Sequence, residues 1–251
     1  MLTIGFKTLI YREVKRFLNV YNQTLIAPVV NSLLYFVIFT VIFSGRFNDV
    51  NYQSFIASGI IIMAMLQNSY ANTQSTITTA KVLGFVVDFI IPPISIKTLL
   101  FAILIAGIAR GLIVGFISFI TLSFFVHFEF HNPFLILIYA VLASALFASF
   151  GIMVGSLSKN FDSAISYNTY IIMPITFLSG TFYSIKFLPE FWQKVIQFNP
   201  VFYIIDGFRY AVIGISESSI SQPVTLLFLF AWFSVFGILA YTIMKKHYHE
   251  F

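Results

Sequence analysis

The chain has 251 residues, of which 59% are hydrophobic and 9% are charged, with a formal net charge of +5. Charged residues make up about a quarter of a typical globular chain, so a soluble fold with a solvated surface is excluded. The absence of cysteine excludes disulfide, iron–sulfur and thiolate-zinc sites. We therefore expect an all-α polytopic membrane protein, in which the basic residues mark one side of the membrane and do not indicate nucleic-acid binding.

Residues 3 to 20 have the period of an amphipathic helix. One face carries Phe6, Leu9, Ile10, Val14, Phe17 and Leu18, and the other carries Lys7, Arg12, Lys15, Arg16 and Asn19. This pattern is typical of a helix that lies in the membrane interface, and we assign residues 1–22 to it. We expect no cleavable signal peptide, because the first long apolar run begins near Thr24.

Six apolar segments are long enough to cross a bilayer, at about 24–44, 53–71, 99–126, 134–157, 164–183 and 223–244. Because the number is even, both termini share one side of the membrane. Most basic residues share that side as well: Lys7, Arg12, Lys15, Arg16, Lys81, Lys97, Lys159, Lys245 and Lys246. The positive-inside rule therefore predicts cytoplasmic termini. Without a repeat or a long linker, the chain is expected to form a single domain, 1–251.

The connection from Asn72 to Lys97 contains an unusually apolar part. Phe85 to Ile91 is apolar except for Asp88 and is followed by Pro92-Pro93, which predicts a short helix stopped by proline. Such a surface needs burial, either at the membrane surface or in a groove on a partner. The connection is too short to be an independent enzyme domain.

The stretch from Thr176 to Gly214 is hydrophobic but repeatedly interrupted, at Ser179-Gly180, Pro189 and Asn199-Pro200. Its last part is too short to cross a bilayer, which requires about 20 residues. We therefore predict a segment, 184–214, that enters the membrane and returns, buried in protein or lining a cavity.

Two helices are expected within this segment. Pro189 suits the first turn of an interfacial helix that carries Trp192. Asp206 and Arg209 are three residues apart on the second helix, where we expect them to pair and lower the cost of entering the membrane.

Arg110 lies inside the third predicted span, where a charge costs a few kcal/mol unless it is paired or hydrated. Two interpretations remain open: contact with a phosphate or other anion on a substrate, and hydrogen bonding to neighbouring helices or snorkelling. His127, Glu129 and His131 alternate in the next connection, but they lack the spacing of a zinc site, and a polar external loop explains them.

Several segments together resemble a known family. They are YREVKRF (Tyr11 to Phe17), QTLIAPV (Gln23 to Val29), NSYANTQS (Asn68 to Ser75), VDFIIPPIS (Val87 to Ser95), ARGLIVG (Ala109 to Gly115) and FLSGTFYSIKFLPEFWQKVIQFNPVFYIIDGFRY (Phe177 to Tyr210). In order and spacing they resemble the permease subunit of ABC-2 type ATP-binding cassette transporters, in the branch of bacterial drug, polysaccharide and lipo-oligosaccharide exporters.

The resemblance implies an ABC-2, type V exporter-like fold with six spans, an N-terminal interface helix and re-entrant outer helices between spans five and six. It implies a coupling helix within the loop 81–97, formed by Val87, Asp88, Phe89, Ile90, Ile91, Pro92 and Pro93, that docks on a separate ATPase. The N-terminal helix, with Glu13 and Arg16, would pack against the same ATPase. The outer gate would comprise Gly180, Pro189, Trp192, Pro200, Asp206 and Arg209.

The resemblance also implies a working unit of two permeases and two ATPases in the bacterial cytoplasmic membrane. ATP and Mg²⁺ would be bound by the ATPases, and this chain would bind no cofactor. The family often has an acidic residue or pair near the start of the coupling loop, where this chain has only Asp88.

The leading hypothesis is a permease that exports an amphipathic drug, lipid or lipid-linked glycan. The chain has no Gly-Lys pair and hence no P-loop, so ATP hydrolysis must come from a partner. An ion-gradient-driven secondary transporter is the alternative, but no Asp or Glu lies in the six predicted spans. A lipid-modifying membrane enzyme is less favoured, because no catalytic constellation is present.

Overall fold

The computed structural model describes residues 2–43, 50–85 and 94–247, and within these ranges it contains helices and no strand. The α-helices are α1 (Leu2–Asn19), α2 (Ala27–Phe43), α3 (Val50–Leu83), α4 (Ile96–Ser123), α5 (Pro133–Leu157), α6 (Phe161–Tyr167), α7 (Met173–Leu178), α8 (Glu190–Gln197), α9 (Pro200–Ile213) and α10 (Gln222–His247). The π-helical segments Asn22–Ile26 and Asn168–Ile172 lead into α2 and join α6 to α7. A short 3-10 helix, Ile185–Phe187, precedes α8.

Local sequence signals determine several helix ends. Asn132 caps α5, since its side chain accepts a hydrogen bond from Leu135 N at 3.1 Å, and Pro133 occupies the first turn. Asn199 and Pro200 begin α9 in the same way. At the other end of α9, Gly214 adopts φ +74°, the left-handed conformation that commonly terminates a helix.

Five described helical segments are long and apolar enough to cross a membrane: Asn22–Ile42, Tyr52–Leu83, Ile96–Ser123, Pro133–Leu157 and Gln222–His247. They agree in position with five of the six predicted spans. The remaining predicted span, 164–183, is not among them. Residues 161–178 are helical throughout, but this stretch includes Asp162, Ser166 and Asn168 and contains the second π-helical segment.

The first part of the predicted connection, which begins at Asn72, is helical, because α3 continues to Leu83. The polar residues that suggested a loop have partners on other helices. Thr73 Oγ1 donates to Ala148 O at 2.8 Å, and Lys81 Nζ donates to Ser156 O at 2.6 Å. The predicted coupling helix, Val87 to Pro93, lies outside the described residues.

Helix α3 is the centre of the bundle and lies between α4 and α5. The most apolar stretch of α3 is 89% buried, whereas that of the segment that includes α2 is 17% buried and that of α10 is 11% buried. Glycines on α4 and α5 allow the close approach: a Cβ at Gly111 would overlap Ser69 Oγ, and one at Gly151 would overlap Thr73 Oγ1. Small residues at such interfaces are typical of packed membrane helices.

The bundle has two distinct ends. At the α1 end, the C-terminus of α3 meets α1 and α5, and Lys97 Nζ lies 5.9 Å from the ring centroid of Tyr241 on α10. At the α9 end, α9 packs between α3 and α5, close to the turn that follows α7. The predicted amphipathic helix is confirmed as α1, which buries Leu9 and Phe17 against the bundle.

Candidate functional site

A groove of about 320 Å³ opens between α2, α3 and the helix formed by α6, its π-helical continuation and α7. Eight of its lining residues carry a carboxamide or hydroxyl group on these elements: Asn31, Ser32, Tyr35, Gln67, Asn68, Tyr70, Gln74 and Asn168. Apolar residues such as Met63 and Met173 line the rest. We call this feature the polar groove. It places hydrogen-bonding groups beside helices that are otherwise apolar enough to cross a membrane.

Much of the hydrogen-bonding capacity of the polar groove is unused. In the described part of the chain, the side-chain carboxamides of Asn31, Gln67 and Asn168 have no hydrogen-bond partner. The Tyr70 hydroxyl is also unpartnered there, although the residue is only 1% exposed. The three carboxamides are therefore available to a bound molecule, whereas the Tyr70 hydroxyl is enclosed by protein.

Arg110 lies directly behind the groove wall and does not line the groove. It is 8% exposed, and its Nη2 donates to Asn68 Oδ1 at 3.1 Å, while its Nε has no partner among the described residues. The sequence left two interpretations of Arg110 open, and the structure contains the contact that one of them requires, a hydrogen bond to a neighbouring helix. The predicted role in the translocation path remains a prediction.

A second polar cluster connects α1 to α3. Glu13 is 2% exposed and lies 3.1 Å from Arg16 Nε. Arg16 Nη2 donates to Asn72 O at 3.1 Å and also to Thr76 Oγ1. We call this feature the α1 clamp. Its two charged residues were predicted to help contact the ATPase, and here both side chains bind within the chain.

A third cluster, at the α9 end, encloses Arg209, which is 1% exposed. Its Nη2 donates to Gly180 O at 2.8 Å, and its Nη1 lies 4.0 Å from Glu217 Oε2. The guanidinium carbon lies 3.5 Å from the ring centroid of Phe55 on α3, within cation–π range. The arginine thus joins four separate parts of the chain.

The prediction that Asp206 pairs with Arg209 is wrong. Asp206 instead accepts hydrogen bonds from Ser216 Oγ at 2.7 Å, Glu217 N at 2.7 Å and Ser218 N at 3.2 Å. The loop after α9 folds back and offers three donors, which satisfy the carboxylate better than one neighbour on the same helix. Glu217 takes the place near Arg209 that the spacing had assigned to Asp206.

The structure brings only some of the predicted gate residues together. Gly180, Asp206 and Arg209 belong to the cluster at the α9 end, and Gly180 adopts φ +74° in the turn after α7. Pro200 is the first residue of α9, whereas Pro189 precedes α8 and Trp192 is exposed on it.

The connection between α4 and α5 contains the three residues His127, Glu129 and His131 that were considered for a zinc site. His131 Nε2 lies 3.3 Å from the Tyr210 hydroxyl, and no group of three His, Cys, Asp or Glu in the described ranges could hold a metal ion.

Sequence reasoning missed the polar groove and Glu217. The groove is assembled from three carboxamides on α3 and one each on α2 and the π-helical segment, which lie far apart in the sequence. Glu217 lies in the short polar run between α9 and α10, where an acidic residue next to a buried helix was a detectable signal. The repeated small residues Gly107, Gly111 and Gly115, four residues apart, also predict a close helix contact.

The five apolar segments that could cross a membrane and the polar groove beside them are typical of a multi-pass α-helical membrane protein. The ABC-2 type transporter family model matches residues 4–213, and the chain belongs to this family. It is a transport permease component, as the resemblance indicated.

The chain is similar along most of its length to the inner membrane transport permease YadH of Escherichia coli K12, with 33% identity over 230 residues and 90% of each chain covered. It is also similar to nodulation protein J of Rhizobium leguminosarum bv. trifolii, with 34% identity over 104 residues and 40% of each chain. The nodulation protein J of Sinorhizobium fredii is 21% identical over 188 residues, covering 74% of this chain and 72% of the relative.

Proposed function

We propose that the chain is the permease subunit of an ATP-driven exporter in the bacterial inner membrane. Its cargo is an amphipathic molecule, such as a drug, a lipid or a lipid-linked glycan, taken from the cytoplasm or the inner leaflet. The polar groove carries this proposal, because its unpartnered carboxamides offer hydrogen bonds to a head group beside lipid-exposed apolar surface. Such a combination suits a molecule with one polar end and one apolar end.

The proposed energy source is ATP hydrolysis by a partner, because the helices that could cross a membrane lack acidic residues. No Asp or Glu lies in the five segments that could cross a membrane, which disfavours coupling to protons or ions. The chain has no P-loop, so the proposal assigns ATP and Mg²⁺ to a separate ATP-binding cassette ATPase.

The proposed assembly contains two copies of this chain and two ATPases in a lipid bilayer. Each copy forms one domain, 1–251, with cytoplasmic termini and six crossings, the fifth made by residues 161–178. Val87 to Pro93 docks on the ATPase, and the cluster at the α9 end closes the outer exit. The weakly buried α2 is free to face the second copy.

Co-purification in mild detergent tests the proposal. We expect the tagged permease to bring down an ATPase that contains a P-loop, with an ATPase activity that changes when the permease is bound. Absence of any such ATPase from the purified material would refute it.

The docking segment is tested by Phe89→Glu, which should reduce co-purification at least about tenfold, since burying an unpaired carboxylate is costly. The matched control is Phe161→Glu, an exposed phenylalanine outside the segment, which should leave co-purification unchanged. Equal loss in both variants would argue against specific docking.

A further inference from the structure

Arg110 is a buried positive charge for which the described residues supply no countercharge. It is the fifteenth residue of the 28-residue helix α4, which places it about 20 Å from either helix end. No carboxylate lies within 4.0 Å of it in the described ranges. A charge at this depth is costly and is by default functional.

Asn68 connects Arg110 to the polar groove. The carboxamide oxygen accepts from Arg110, and the carboxamide nitrogen donates to Ala64 O at 2.9 Å, so the side chain is held at both ends. The guanidinium is therefore one side chain behind the groove wall. Two unit charges that are separated by one side chain inside a protein still interact appreciably, so the guanidinium acts on a charged group in the groove.

The rest of the lining adds donors without adding charge. The carboxamides of Asn31, Gln67 and Asn168 are available, and no Asp, Glu, Lys or Arg is among the described residues that line the groove. A cationic head group would meet the field of Arg110 with no carboxylate to offset it. An anionic head group would find both donors and a countercharge.

We infer that the polar groove binds the anionic head group of an amphipathic cargo, with Arg110 acting through Asn68 as the specificity-determining countercharge. This inference rests on the proposed function, because it names the class of cargo that the permease carries. The apolar lining, which includes Met63, Ile165 and Met173, contacts the adjoining alkyl chain.

Ligand binding by the full-length permease in nanodiscs of zwitterionic lipid tests this assignment. Because the chain has no cysteine, Ile165→Cys can carry a single polarity-sensitive fluorophore at the groove mouth, where Ile165 is 61% exposed. The probes are an alkyl phosphate, an alkyl glucoside and an alkyltrimethylammonium with the same alkyl chain. We expect the alkyl phosphate to bind about tenfold more tightly than the other two, a difference of about 1.4 kcal/mol.

Substitutions at Arg110 and Gln67 identify the source of the preference for the alkyl phosphate. Arg110→Gln should abolish it and Arg110→Lys should retain it, because only the first removes the charge. Gln67→Glu leaves the buried arginine in place and should weaken binding of the alkyl phosphate about tenfold. Phe116→Leu, in a separate apolar cleft, is the matched control and should change neither affinity.

Equal binding of the three amphipaths, or a phosphate preference that survives Gln67→Glu, would overturn the inference even if Arg110→Gln fails to fold. Inorganic phosphate as effective as the alkyl phosphate would also overturn it, since the cargo would then need no alkyl chain. A charge preference in a permease that binds no ATPase would refute the export proposal and leave the site standing. ATP-driven transport without a charge preference would refute the assignment of the groove to an anionic head group and leave the export proposal standing.

Discussion

Arg209 is enclosed almost completely, and its nearest carboxylate belongs to Glu217. Glu217→Ala would leave the guanidinium buried with a weaker countercharge and would remove the acceptor of Ile185 N, which is bound at 3.1 Å. Removing one partner of a buried charge pair costs about 3 kcal/mol. We expect a loss of that size in the free energy of unfolding, measured by thermal or denaturant unfolding in detergent.

Glu129→Ala is the matched control, because Glu129 is an exposed glutamate at the same end of the bundle. Its expected effect is below about 0.5 kcal/mol. Combining Glu217→Ala with Arg209→Met should restore part of the stability, since the uncompensated charge is then removed as well. Equal losses from the two single glutamate variants would show that the buried position of Glu217 is irrelevant.

At the residue scale, the sequence predicted which charges are unusual but not their partners. Arg110, Asp206 and Arg209 were all identified, and all three are buried. Helical spacing reports only neighbours on the same helix, whereas Asp206 binds the loop after α9 and Arg209 lies near Glu217 from that loop. Such contacts depend on how the chain folds back, which one sequence does not specify.

Among the elements, α1 depends on the α1 clamp for its position. Arg16→Ala would remove the hydrogen bonds to Asn72 and Thr76 and one of the two ion pairs of Glu13, which keeps Arg12 at 3.0 Å. Hydrogen bonds to charged groups contribute about 1.5–3 kcal/mol each when buried, and less at a partly exposed arginine such as this one. We expect about tenfold faster hydrogen exchange of the α1 amides, followed by mass spectrometry.

Lys7→Ala provides the comparison, because Lys7 is exposed on the same helix. It should leave the exchange of α1 unchanged. If Arg16→Ala leaves exchange as slow as Lys7→Ala does, α1 is held by its apolar face alone and the clamp contributes nothing.

Element boundaries were predictable where the sequence carries local signals. Asn132-Pro133, Asn199-Pro200 and Gly214 mark helix ends by capping and by backbone geometry, and α5 and α9 begin or end there. The second half of α3 was missed because Asn72 to Thr76 is polar and resembles a loop. Its helical state depends on acceptors and donors in α1 and α5, which lie far away in the sequence.

For the whole molecule, the crossing of residues 161–178 decides between five and six spans. Single cysteines can report this, because the chain has none of its own. We expect Lys186→Cys to react with a membrane-impermeant maleimide in intact cells, and Lys159→Cys to react only after permeabilisation. Both positions are exposed and flank the segment.

Glu129→Cys, in the connection between α4 and α5, is the reference for the outer side and should react like Lys186→Cys. Labelling of residues 159 and 186 from the same side would mean that 161–178 does not cross. The proposed cytoplasmic location of both termini would then fail as well, since the number of spans would be odd.

The length and confinement of α3 have a mechanical consequence. Phe55 contacts Arg209 at one end of this helix, and Thr76 contacts Arg16 near the other, a separation of about 30 Å along the axis. Between these points, close contacts at Gly111 and Gly151 hold the helix on two sides and oppose bending. A displacement of α1 by an ångström would therefore be transmitted along α3 to its contact with Arg209 with little loss.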